Sequence, residues 1–83
     1  MKVLYFAWMR QRVGAGEETH NPPANVDTVA ALIDWLRAKG PNYEAAFQDP
    51  RAIKVAVNQT FASLSTEITP QDEVAFFPPV TGG

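Results

Sequence analysis

The chain has 83 residues, 46% of them apolar and 19% charged, with a net charge of -2 and no cysteine. One domain of that size buries about 60% of its unfolded surface, enough for a core and too little to enclose a large substrate cavity. The missing cysteines exclude a disulfide framework, a thiolate nucleophile and a zinc-thiolate cage, and the scattered Lys and Arg form no basic stripe for nucleic acid.

Residues 2–9 are nearly all apolar or aromatic and read as a strand covered on both faces, central in a sheet. No basic segment with an apolar run and small-residue cleavage site opens the chain. No apolar stretch approaches the ~20 residues that span a bilayer, so the expectation is a soluble, cytoplasmic protein with no membrane partner. Gly14-Ala15-Gly16 lacks the Lys-Ser or Lys-Thr and the helix start of a phosphate loop, and reads as a hairpin turn. Residues 18–20, ended by Pro22 and Pro23, give a short edge strand. Asp27 or Thr28 caps a helix in which Val29, Leu32, Ile33 and Leu36 follow the i, i+3, i+4, i+7 spacing, before Lys39 and Gly40 end it. Residues 43–47 supply one short helical turn, residues 52–57 a third strand, and Asn58-Gln59 a tight turn. Residues 61–63 return as a short strand, 69–72 carry turn chemistry, and 73–77 form the last strand.

That order makes an α+β fold of β-grasp, ubiquitin-like type over residues 1–77, a mixed sheet with one main helix across one face, followed by a flexible tail over residues 78–83. A ferredoxin-like sandwich is the runner-up, and it needs a second full helix that residues 43–47 are too short to supply. Alternation in the first strand puts Lys2, Leu4, Phe6 and Trp8 on one face and Val3, Tyr5 and Ala7 on the other. One helix covers only one side of the sheet, so Leu4, Phe6 and Trp8 stay in water unless a partner covers them, with Phe61 and Phe77 extending the patch. Arg10 is either a solvated charge or the contact of an acidic partner near the tail. His20 is the only histidine and has no ligand set around it, so no metal is expected. The Ser and Thr hydroxyls lack a base, and side-chain catalysis is not expected.

The sequence closes with Pro78, Pro79, Val80, Thr81, Gly82 and Gly83. Two prolines fix φ and favour an extended path, while two glycines pass through a channel too narrow for a side chain, so six residues reach roughly 20 Å at ~3.3 to 3.6 Å each. The reactive group is then the carboxylate of Gly83. Ionised at neutral pH, it is a poor electrophile until activated as an acyl-adenylate, which a sulfur nucleophile converts to a thiocarboxylate.

The ending from Asp72 to Gly83, the Ala56-Val57-Asn58-Gln59 turn, the Thr28-Val29 helix start and the strand from Val3 to Ala7 with Arg10 behind it resemble the small subunit of molybdopterin synthase. The resemblance covers nearly the whole chain, and Phe-Phe-Pro-Pro-Val-x-Gly-Gly is its most specific part. It implies a ubiquitin-like fold with no bound cofactor and adenylation of Gly83 at the expense of ATP by an adenylyltransferase like the ubiquitin-activating enzyme. A sulfur donor protein then loads the tail. The tail enters the large subunit and gives sulfur to cyclic pyranopterin monophosphate, two transfers per product, commonly in a heterotetramer. It also implies that the hydrophobic surface of Phe6, Phe61 and Phe77 meets the large subunit. The departure is Asn21-Pro22-Pro23, which interrupts what is more often a continuous second strand. Carriers for thiamine thiazole and ubiquitin-like modifiers also end in Gly-Gly, and a binding module with an inert tail and an autonomous enzyme are the remaining alternatives.

Overall fold

A computed structural model describes residues 1–79; the tail residues Val80, Thr81, Gly82 and Gly83 lie outside the described residues. Strands β1 (Lys2–Tyr5), β2 (Glu17–Thr19), β3 (Lys54–Val57), β4 (Thr60–Ala62) and β5 (Glu73–Phe77) form one sheet in the order β2-β1-β5-β3-β4. The central β1 and β5 run parallel and the other neighbours antiparallel, which gives the mixed sheet expected. The helices are α1 (Trp8–Val13), α2 (Val29–Arg37) and α3 (Pro41–Ala46), with a 3₁₀ turn at Pro50–Ala52.

Helix α2 has the cause read from sequence. The Thr28 side-chain oxygen accepts the Ala31 N–H at 3.1 Å, satisfying one of the free donors at a helix start. Its stripe of Val29, Leu32, Ile33 and Leu36 is buried in one cluster with Val3 and Tyr5 of β1, Val55 of β3, and Val74 and Phe76 of β5. Asn58 and Gln59 take positive φ of 51° and 68°, the conformation of the tight hairpin between β3 and β4. Asn58 also ties that hairpin to β5: its amide nitrogen donates to Asp72 Oδ1 at 2.9 Å, and its side-chain oxygen accepts the Glu73 N–H at 3.0 Å.

The first apolar run is where expectation and structure part. The strand stops at Tyr5 instead of continuing through Met9, because Ala7 turns the chain with φ 54° and ψ -133°, and Trp8 then starts α1. Met9 and Val13, four apart, are the buried face of this helix. Gly14 at φ 93° ends it in the left-handed region, its N–H donating to the Arg10 carbonyl, so the Gly14 to Gly16 segment is a helix cap rather than a hairpin turn. Among the described residues the fold therefore carries three α-helices, not one with a single extra turn. Smaller corrections follow from local chemistry: β2 lies one residue earlier than expected, β4 likewise, and Pro50 with its Asp49 cap winds residues 50–52 into the 3₁₀ turn, so β3 begins at Lys54.

A polar clasp fastens the short β2 to the helical layer. Tyr43 Oη donates to Glu18 Oε2 at 2.6 Å, and His20 Nε2 lies 3.0 Å from Glu18 Oε1 while its ring stands edge-on to Trp35. Burial works to raise the Glu18 carboxyl, but hydrogen bonds from Tyr43 and His20 outweigh it and leave Glu18 below the usual carboxylate range. The hydrogen bond to Glu18, then burial, push the Tyr43 hydroxyl up to about 12. A carboxyl held low in the fold adds stability above its unfolded value of about 4.3 and loses it as pH falls through the folded one. Unfolding free energy measured by urea titration is expected to decline below about pH 4.5, and Glu18→Gln to flatten that decline while lowering stability at pH 7. Asp72, held low by hydrogen bonds from Asn58 and the Thr69 N–H, supplies part of the remaining slope. Parallel pH profiles for the two proteins would remove the clasp from the account.

Candidate docking face and tail root

The sheet face turned away from α2 is built by register. Leu4, Ala75, Ala56 and Phe61 occupy successive positions across β1, β5, β3 and β4 and form one apolar row. Two alanines make its floor shallow, and larger side chains bound it. On one flank lies a polar row of Lys2 and Glu73, with Lys2 Nζ 3.9 Å from Glu17. On the other flank, toward the tail, Phe77 is paired with Lys54, and Phe6 follows the β1 alternation one residue past the strand end, its N–H donating to the Phe76 carbonyl.

Phe61 is 82% exposed and Phe6 49%, while Leu4 and Phe77 are partly buried. The Phe61 and Phe77 rings sit 6.0 Å apart. Fully burying one such ring stabilises by about 1.5 to 3 kcal/mol relative to leaving it in water, so this face holds unspent binding energy. Four of the five apolar residues read from sequence, Leu4, Phe6, Phe61 and Phe77, thus come together. Trp8 does not: it opens α1, and its ring packs against the core with the Arg12 guanidinium 4.5 Å from the ring centroid. The alternation that assigned it to this face stops after Phe6, where Ala7 turns the backbone.

Arg10 stands on α1 behind the same corner, exposed, its side chain lying over Gly16; a Cβ there would meet Arg10 Nε at 3.0 Å. Ala7, Arg10, Gln11, Gly14, Ala15 and Gly16 line a shallow hollow beside it. Pro78 and Pro79, the root of the tail, leave β5 at the end of the sheet where this corner and Lys54 lie. Sequence reading missed Ala56, Ala75 and Lys54, since a residue of β3 or β5 shows its face only once it is registered against its neighbours. Among the described residues no group of His, Asp and Glu could hold a metal ion, and no helix is long and apolar enough to cross a membrane.

The model of the ThiS family matches residues 3–83, nearly the entire chain and through the diglycine. The chain belongs to the ThiS family. Relatives of this ThiS-family chain include the molybdopterin synthase sulfur carrier subunit of Escherichia coli strain K12, 42% identical over 83 residues, spanning 100% of this chain and 99% of the relative. The protein of the same name from Haemophilus influenzae is 35% identical over the same full span. Among solved structures, SAMP1 from Haloferax volcanii superposes with a TM-score of 0.78 at 30% identity, covering 100% of this chain and 98% of its own. The resemblance to molybdopterin synthase small subunits and the ubiquitin-like β-grasp architecture both stand on these matches.

Proposed function

We propose that this protein is the sulfur carrier of molybdopterin synthesis, with residues 1–77 as the handle and residues 78–83 as the arm. The observation that carries the reading is the full-length similarity to molybdopterin synthase sulfur carrier subunits, with the family match running to Gly83. In this reading an adenylyltransferase like the ubiquitin-activating enzyme joins the Gly83 carboxylate to the α-phosphate of ATP, and pyrophosphate leaves. A sulfur donor protein supplies sulfur at the level of sulfide, which displaces AMP and leaves a thiocarboxylate. The loaded tail of Pro78, Pro79, Val80, Thr81, Gly82 and Gly83 then reaches the large subunit of molybdopterin synthase. There the thiocarboxylate sulfur replaces a carbon–oxygen bond of cyclic pyranopterin monophosphate, the oxygen departing with its phosphate or as water, and a water molecule cleaves the acyl–sulfur link, regenerating the carboxylate; two such cycles build the dithiolene. Phe6, Leu4, Phe61 and Phe77 dock the body, with Arg10 at the corner beside the tail root, and the work is cytoplasmic.

A division of labour follows. Acid, base and metal belong to the partners, and this chain contributes a body that docks and a backbone terminus that reacts. Incubation with ATP, a sulfide source and a cognate activating enzyme is expected to exchange one oxygen for one sulfur at the C-terminus, read by intact-mass spectrometry. An unchanged mass with that cognate enzyme, ATP and sulfide all present would refute the reading.

A further inference from the structure

Lys54 is the unusual residue of the outer face. It is exposed, pairs in register with Phe77, and lines with Phe61, Phe77, Val55 and Ala62 a hollow on that face. Lys2, the other cation there, has Glu17 beside it; Lys54 has no ion-pair partner among the described residues.

Position decides what this charge means for a partner. Strand β3 is interior, with β5 and Phe77 on one side and β4 and Phe61 on the other. A protein that covers both rings, and also receives the chain that continues from Phe77, encloses the end of β3 and strips water from the ammonium. An ammonium buried without an acceptor is strongly unfavourable, and its four-carbon stem escapes that cost only where a rim is within reach. A partner that receives the chain beyond Phe77 would occupy the tail-ward rim as well. We infer that the protein surface that docks on this face presents a carboxylate opposite Lys54, set in an apolar patch that fills the shallow floor over Ala56 and Ala75. The inference rests on the carrier reading, with the synthase large subunit as that surface. It adds to it a charge contact at the mouth through which the tail passes. Since this chain carries a net charge of -2, an acidic partner would otherwise be repelled, and Lys54 supplies the local attraction that orients the encounter.

The test measures association and dissociation rates of the full chain with the large subunit from the same organism, across a salt series, for the unaltered protein and for Lys54→Met, Lys54→Glu and Phe61→Ala. Lys54→Met keeps the apolar stem, and its exposed position leaves folding unaffected. It is expected to slow association at low salt about 3-fold and Lys54→Glu about 10-fold, with both differences collapsing at about 0.5 M salt, where charges are screened within a few Å. Phe61→Ala is expected to speed dissociation at every salt concentration. Restoration of Lys54→Glu binding by one Asp or Glu to Lys change on the large subunit would identify the carboxylate. If both Lys54 variants associate like the unaltered protein at all salt concentrations while Phe61→Ala still weakens binding, the charge contact is overturned and the docking face survives. If the unaltered protein does not bind the large subunit at all, the carrier reading fails, and this inference with it.

Discussion

Phe76→Ala is expected to cost about 3 to 5 kcal/mol of folding stability, the range for truncating a fully buried aromatic residue. Phe76 is 0% exposed and sits edge-on to Phe47 at 4.9 Å and stacked with Tyr5 at 6.3 Å; Phe47 and Tyr5 are themselves 6.2 Å apart. Three rings thus join β1, β5 and the residue that ends α3, and removing one leaves a cavity lined by the other two. Domains of this kind hold about 5 to 15 kcal/mol in total, so the loss takes at least about a fifth of the reserve and at most all of it. At roughly 4 to 8 °C per kcal/mol, the melting temperature should fall by well over 10 °C. The informative control is one residue along the same strand. Phe77 faces outward, and Phe77→Ala is expected to cost about 1 kcal/mol or less in urea unfolding while weakening partner binding. A reversed result, with Phe77 as the costly position, would mean that β5 is out of register by one residue, and the assignment of Ala75 and Phe77 to the outer face would reverse with it.

The same one-residue logic explains what could be read beforehand. Helix α2 was legible because four apolar residues at helical spacing coincide with a capping threonine, and β5 because Val74 and Phe76 alternate with Ala75 and Phe77 between a turn and two prolines. The Asn58 turn was legible from residue type alone. Helix α1 was not, because an unbroken apolar run is compatible with either strand or helix, and the feature that divides it, the positive φ at Ala7, falls on a residue with no preference for that conformation. Met9 and Val13 with Gly14 behind them were the available signal: an i, i+4 pair followed by a C-terminal glycine. Misplacing Trp8 was the direct consequence. The Glu18, His20 and Tyr43 clasp was out of reach for a different reason, since Glu18 and Tyr43 are 25 residues apart and meet only when β2 and α3 are folded. Lys54 needed the register with Phe77. The outer face was therefore half legible: its aromatic members show in the pattern, whereas its alanine floor and its charge belong to the pairing of strands.

Deleting Gly83 is expected to abolish sulfur loading while leaving folding and docking intact, and this is the largest functional effect anticipated for any single change. One residue of extended chain spans ~3.3 to 3.6 Å, so the deletion withdraws the carboxylate by more than a bond length from where an activating enzyme holds ATP. Misplacing a reacting group by 1 Å can already cost about 100-fold, so loading should fall by at least that factor. The new terminus would also be Gly82, chemically the same carboxylate, which makes the comparison one of position and not of reactivity. Adding one alanine after Gly83 is expected to be as damaging for the opposite reason: the carboxylate overshoots, and a Cβ enters a channel suited to glycine. Neither change touches the core or the Leu4, Phe6, Phe61 and Phe77 surface, so melting temperature should match the unaltered protein in both and, for the deletion, so should affinity for the large subunit. Intact mass after loading and a binding titration with the large subunit read the two properties separately. Loss of both would describe a protein whose tail is part of its docking surface. Retention of sulfur gain by the extended chain, with the added alanine still present in the spectrum, would show that the position of the terminus is not what the activating enzyme recognises, and the carrier chemistry assigned to Gly83 would have to be given up.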